Sequence, residues 1–185
     1  MTRRILVPAL FLAALGCAQP SNPQADGGKK PDGTPAPATS GDQKQLEKFV
    51  MAEKPANAIT VKDAMAKKEG EKVVVTGQVP TEKVKPYNPA YASVVMISHA
   101  DMAREEVKEE FDCDDAATCP GCKKLLDTLG VRVEIVDASG APIGATLEGY
   151  RGLKPGSTIT VEGEVKKEGK DKKLVRIVAT KFYPG

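Results

Sequence analysis

The stretch GEKVVVTGQV at residues 70–79 returns nearly unchanged as GSTITVEGEV at residues 156–165. Both copies read G-x-x-[VI]-x-V-x-G-x-V, with Val73, Val75 and Val79 matched by Ile159, Val161 and Val165. Apolar residues on alternate positions have the period of a strand with one face buried. Gly77 and Gly163 interrupt these β-branched runs. A glycine there predicts a bulge or a sharp bend, as at the corner of a small barrel. The rest of the folded chain is expected to supply partners for these two strands.

Around them the other elements fall into place. Residues 42–54, DQKQLEKFVMAEK, carry Leu46, Phe49 and Val50 at helical spacing, with Asp42 as N-cap and Pro55 as the stop. A second helical segment is expected at residues 60–69, where Val61, Ala64 and Met65 share a face. Strands are read at residues 91–98 (YASVVMIS) and 131–137 (VRVEIVD), and a closing strand at 174–183 (LVRIVATKFY) follows a lysine-rich turn, KKEGKDKK. Five strands, two of them bent at glycine and without long helices between them, predict a mainly β, five-stranded Greek-key barrel. An N-terminal helix precedes it, and a helical, cysteine-containing insertion separates its second and third strands.

The first residues read as a targeting segment. Arg3 and Arg4 precede an apolar run at residues 5–16 that is too short to span a bilayer, so residues 1–16 are expected to be a signal peptide. Its end, Ala14-Leu15-Gly16-Cys17, is similar to a bacterial lipobox, which implies cleavage before Cys17 and lipidation of that cysteine. Residues 18–41 are rich in Pro, Gly, Ser and Thr, lack any large apolar side chain, and are expected to be a disordered linker. The folded domain then spans residues 42–185. Loss of Arg3 and Arg4 brings Lys+Arg from 27 down to the 25 of Asp+Glu, so the mature chain is formally neutral. That balance argues against nucleic acid, whose binding rests on an excess of basic charge.

The runs TVKDAMAKKEGEKVVVTGQV, VRVEIVDASG and GSTITVEGEVKKEGKDKKLVRIVATKFY together resemble the OB-fold families of exported bacterial lipoproteins, with a barrel like that of tRNA-anticodon-binding domains. The resemblance covers most of the chain from about Ile59 onward and implies a binding module in the cell envelope, periplasmic or on the outer membrane. It speaks to fold more than to function. The chain departs from the pattern in two places. The helix usual between strands three and four is reduced to ATLEGYRGLKPG, and a longer insertion lies between strands two and three.

That insertion, residues 99–130, holds the single histidine, His99, and the three cysteines that follow Cys17, namely Cys113, Cys119 and Cys122. A helix is expected at residues 102–111, with Asp101 as cap, and a further turn or two around Leu125, Leu126 and Leu129. Three readings of the cysteines stand open. One is a structural disulfide with an odd thiol left over. Another is a structural zinc site in which His99 joins Cys113, Cys119 and Cys122 in a Cys3His tetrahedron. The lipoproteins that the chain resembles carry a cysteine cluster in the same connection, spaced differently. The third is thiol–disulfide chemistry at the C-P-G-C pair, against which stand the lack of a βαβ unit and the acidic Asp112, Asp114 and Asp115.

Other chemistry is scarce. The sequence holds no nucleophile–histidine–carboxylate pattern beyond His99, no phosphate-binding glycine loop and no H-E-x-x-H, and an enzyme is not expected. The reading is therefore a lipid-anchored extracytoplasmic binding module whose ligand is a protein or small molecule. The alternatives are a thiol-active lipoprotein and an oligonucleotide-binding domain. For the last, Lys166, Lys167, Lys170, Lys172 and Lys173 would supply a basic turn, but strands two and three offer only Tyr91 for stacking.

Overall fold

The computed structural model describes residues 43–114 and 116–185. Residues 1–42, on which the expected signal peptide, the expected lipidation at Cys17, the expected linker and the Asp42 cap fall, and Asp115 lie outside the described residues. Six strands form one mixed sheet in the order β1-β2-β3-β4-β6-β5, where β1 is Ile59–Thr60, β2 Lys72–Gln78, β3 Ser93–Ile97, β4 Gly130–Ile135, β5 Thr158–Glu168 and β6 Leu174–Pro184. Because β2 pairs with β3 on one side and with β5 on the other, the sheet curls partly into a ring. Five strands were expected; the sixth, β1, is two residues long and lies parallel to β2, with Ile59 opposite Val75. A pair that short shows no alternation in sequence.

The repeated glycine motif forms the seam of this ring. β2 and β5 run antiparallel with Val75 opposite Val161 and Gly77 opposite Ile159. Gly163 lies where β5 shifts register against β6, so that Glu162 faces Lys181 while Gly163 faces Ala179. A Cβ on Gly163 would stand 2.4 Å from the Val178 carbonyl oxygen and 2.8 Å from Ala179 Cα. The bend is thus made by backbone packed on backbone. Gly77 serves a different contact, since a Cβ there would meet Val61 Cγ2 at 2.7 Å and the Ile97 carbonyl at 3.0 Å.

Alternate residues of the strands face a common core that includes Val75, Met96, Val133, Ile135, Ile159, Val161, Ile177 and Phe182. Along β4 the alternation leaves Arg132 exposed and Val131, Val133 and Ile135 fully buried, as the pattern predicts. On the outer face Arg176 of β6 pairs with Glu134 of β4 and with Glu168 of β5, joining three strands by charge.

The helical expectations ahead of β2 are corrected in length. The predicted helix at 42–54 is only a 3-10 turn, Lys44–Phe49, which buries Leu46. At Val50 the backbone becomes extended and bridges to Phe182, and Met51 N–H donates to the Phe182 carbonyl at 2.7 Å. Pairing with the sheet satisfies backbone groups that a longer helix would have paired internally, so tertiary contact overrides propensity. Gln43 and Arg151 hold the turn in place, the first through its Nε2 to the Glu148 carbonyl at 3.3 Å and the second through an ion pair with Glu47. The second segment forms helix α1, Val61–Ala66, where Thr60 Oγ1 accepts from Asp63 N–H.

The lysine-rich turn is shorter than predicted. Lys166 and Lys167 belong to β5, and the reversal is confined to residues 169–173, with Gly169 and Lys172 at positive φ. Lys166 pairs with Glu164, Lys172 with Glu69 at 3.0 Å and Lys173 with Asp171 at 3.4 Å. Much of the expected basic patch is balanced by acids beside it.

Gly163→Ala should force the bulge apart, because the atoms in the way are backbone and have no rotamer to change. A loss of about 1–3 kcal/mol is expected. Urea unfolding should show it as a lower midpoint at unchanged slope, whereas an unshifted midpoint would mean that the close packing of β5 on β6 at this point is not required.

Candidate metal centre

Between β3 and β4 the chain forms three helices and a small core of its own. They are α2, His99–Met102, α3, Glu105–Phe111, and α4, Pro120–Leu129. The single helix expected at 102–111 is broken at Ala103 and Arg104; Ser98, whose Oγ accepts from Asp101 N–H at 3.0 Å, caps α2, and α3 starts after Arg104 without a side-chain cap, so the expected Asp101 cap is not formed. Val107, Phe111, Ala116 and Cys122 pack with Met102, Val84 and Ile97 into a buried cluster distinct from the core inside the ring. Leu125, Leu126 and Leu129 lean on it from α4.

The cysteines close this small core on one side. Phe111 ends α3 fully buried, and the next residue is held from outside by Lys83, whose Nζ donates to the Asp112 carbonyl at 2.6 Å and to Asp112 Oδ1 at 2.7 Å. Cys113 follows at the foot of α3. Cys119 immediately precedes α4, and Pro120 begins the helix, a position where a missing N–H costs nothing. Cys122 lies inside the first turn of α4, fully buried, and its thiol donates to the Glu110 carbonyl at 3.1 Å.

The three Sγ atoms lie within 4.8 Å of one another, with Cys113 and Cys122 only 3.1 Å apart. Sulfurs sharing one zinc ion at ~2.3 Å would be separated by roughly 3.8 Å in a tetrahedron, so small side-chain shifts suffice to seat an ion. Soft thiolate sets of this kind suit zinc and Cu(I). The group is close enough to hold a metal ion.

His99 is not part of it. It is exposed at the start of α2, where its Nε2 faces Thr158 Oγ1 at the beginning of β5 at 3.4 Å. The break after α2 and the whole of α3 separate it in the chain from Cys113. The predicted Cys3His set is therefore a set of three cysteines among the described residues.

The electrostatics of the thiols also differ from the sequence expectation. The backbone N–H of Cys122 is the main cause of a Cys119 pKa below the ordinary thiol value, aided by the Cys122 side chain and by the backbone N–H of Gly121. Nearby acids do not dominate, since Asp112 is paired with Lys83, which holds its carboxyl below the usual range. Burial acts oppositely on Cys122, whose thiol is pushed up to about 12. Sequence reasoning missed Lys83 altogether. It lies 29 residues from Asp112, and nothing local to either residue signals the contact.

No family model, curated protein or solved structure matches the chain. Among the described residues no helix is long and apolar enough to cross a membrane. The arrangement of the cysteines therefore has to be read from its own chemistry.

In the reduced, metal-free protein Cys119 should alkylate ahead of Cys122, because only thiolates react and its thiolate is favoured while that of Cys122 is not. Iodoacetamide labelling followed by peptide mass spectrometry across a pH series checks this. The Cys119 midpoint should fall below that of an ordinary cysteine thiol. A midpoint at or above that value would show that the helix amides do not reach its sulfur.

Proposed function

We propose that this chain is a lipid-anchored, extracytoplasmic binding module of OB-fold type whose inserted helices are held together by one metal ion, zinc, on Cys113, Cys119 and Cys122. The observation that carries the metal reading is the convergence of three thiols from two separate segments within 4.8 Å, at the edge of a core too small to be stable alone. A metal there would join the foot of α3 to the start of α4. Its binding free energy would act as folding free energy for this insertion.

The barrel reading is supported by the pairing pattern. Leaving β1 aside, the order of the long strands is β2-β3-β4-β6-β5 and back to β2, with β4 and β6 parallel, an order that favours a five-stranded Greek-key barrel. The envelope location rests on the leader sequence and on Cys17 in its lipobox context. A protein or small molecule is the ligand class favoured for the barrel. The paired lysines near the β5–β6 turn and the formal neutrality of the mature chain count against nucleic acid.

Protein exported to its own compartment and purified without exposure to air should contain about one zinc per chain, the stoichiometry of a single structural site. Cys113→Ser and Cys122→Ser should each abolish retention through gel filtration. Chelation should speed amide exchange in α3 and α4 and leave β2, β5 and β6 protected. Protein that takes up no zinc even after reduction, or uniform loosening of the whole domain on chelation, contradicts the assignment.

The anchor is tested separately. Radioactive palmitate fed to cells should label the wild type and not Cys17→Ser, and the variant should move from the membrane fraction to the soluble one. A wild type that takes up no label rules the anchor out.

A further inference from the structure

The three thiols are not equivalent. Cys113 and Cys122 face each other at 3.1 Å, about 1 Å beyond the ~2.05 Å of a disulfide bond. Cys119 lies within 4.8 Å of both, and its sulfur differs from theirs in also meeting the backbone N–H groups of Cys122 and Gly121 in the first turn of α4. Cys113 belongs to the turn after α3 and is half-buried, whereas Cys122 is buried beneath it in the small core. A bond between Cys113 and Cys122 would join the same two segments that a shared metal ion joins.

We propose that the cluster is a redox-gated metal site, in which two-electron oxidation links Cys113 to Cys122, leaves Cys119 as a lone thiol and expels the ion. This rests on the metal reading above. The oxidant is a low-molecular-weight disulfide, of the kind available outside the reducing cytoplasm. The half-buried Cys113 thiolate attacks one sulfur of that disulfide, whose S–S bond breaks, and the first small thiolate leaves with the electron pair. Cys122, which would enter this step as a thiolate because a metal-bound thiol is already deprotonated, then attacks Cys113 Sγ in the mixed disulfide, and the second small thiolate leaves. Two protein thiolates are oxidised, one external disulfide is reduced to two thiolates, and the divalent ion passes to solvent. One remaining thiolate cannot hold zinc against a chelator.

Metal and disulfide are alternative clasps on one seam. The apolar contacts of Phe111, Val107 and Cys122 do not depend on which clasp is present, so the insertion stays folded while its ion is exchanged for a covalent bond. The pair that closes is not the C-x-x-C pair that sequence spacing suggests.

The test uses full-length mature protein, reduced and loaded with zinc, then titrated with oxidised glutathione. Released zinc is read by a chromophoric chelator and bridges by peptide mass spectrometry under non-reducing conditions. The expected result is one zinc released per chain, in step with a Cys113–Cys122 bridge and with Cys119 still open to alkylation. Cys119→Ser should lose zinc yet form the same bridge, while Cys113→Ser should not form it. A Cys119–Cys122 bridge, or zinc retained after full oxidation, overturns the gate alone. Reduced protein that takes up no zinc overturns the metal reading and the gate together.

Discussion

Everything in the ring depends on β5 being paired along both of its edges. Its first half lies against β2 and its whole length against β6, and the two partners demand different directions of the same strand. The conflict is resolved at the Glu162–Gly163 register shift, where the absence of a side chain lets β6 backbone come within contact of β5 backbone. With the bend in place, the inward residues on both sides of it, Val161 and Val165, remain fully buried. Without it, one of the two pairings would lose its register and turn its apolar face to water.

The insertion is attached to this frame by few but varied contacts. Ile97, at the end of β3, contributes to the small core, and Gly130 passes from the end of α4 directly into β4. Lys83 reaches from the preceding connection to fasten Asp112 next to the first cysteine. As an exposed pair, that contact contributes little to overall stability, yet it selects where the turn after α3 lies. Position and energy are thus supplied by different groups, the apolar cluster giving most of the energy and Lys83 and the cysteines fixing geometry.

The strands were legible in sequence because their information is local. The alternation of Val131, Val133 and Ile135 and the glycines at 77 and 163 can each be read within a few residues. What escaped reading depends on partners far along the chain. Leu46, Phe49 and Val50 have helical spacing, but the Phe182 carbonyl draws Met51 into extended pairing and cuts the helix to a 3-10 turn. The association of Cys119 with Cys122 follows from their spacing, while that of Cys113 with both was an inference from ligand counting. His99 shows the limit of such counting, since a residue of suitable chemistry in the same insertion is turned toward β5 by a capped helix start.

The small core of the insertion has a further consequence for how the chain reaches its fold. β3 and β4 are neighbours in the sheet, with Ile97 opposite Gly130, although the entire insertion separates them in sequence. Bringing distant strands together costs chain entropy that rises with the length of the intervening loop, and topologies rich in such pairings fold slowly. A loop that collapses on its own apolar residues behaves as a shorter one. The β5–β6 hairpin, closed by residues 169–173, is local in sequence, whereas the packing of α3 on α4 is what holds the two ends of the long β3–β4 connection together. In the native fold the compact helical insertion thus serves as a spacer that makes a long connection between β3 and β4 behave as a short one.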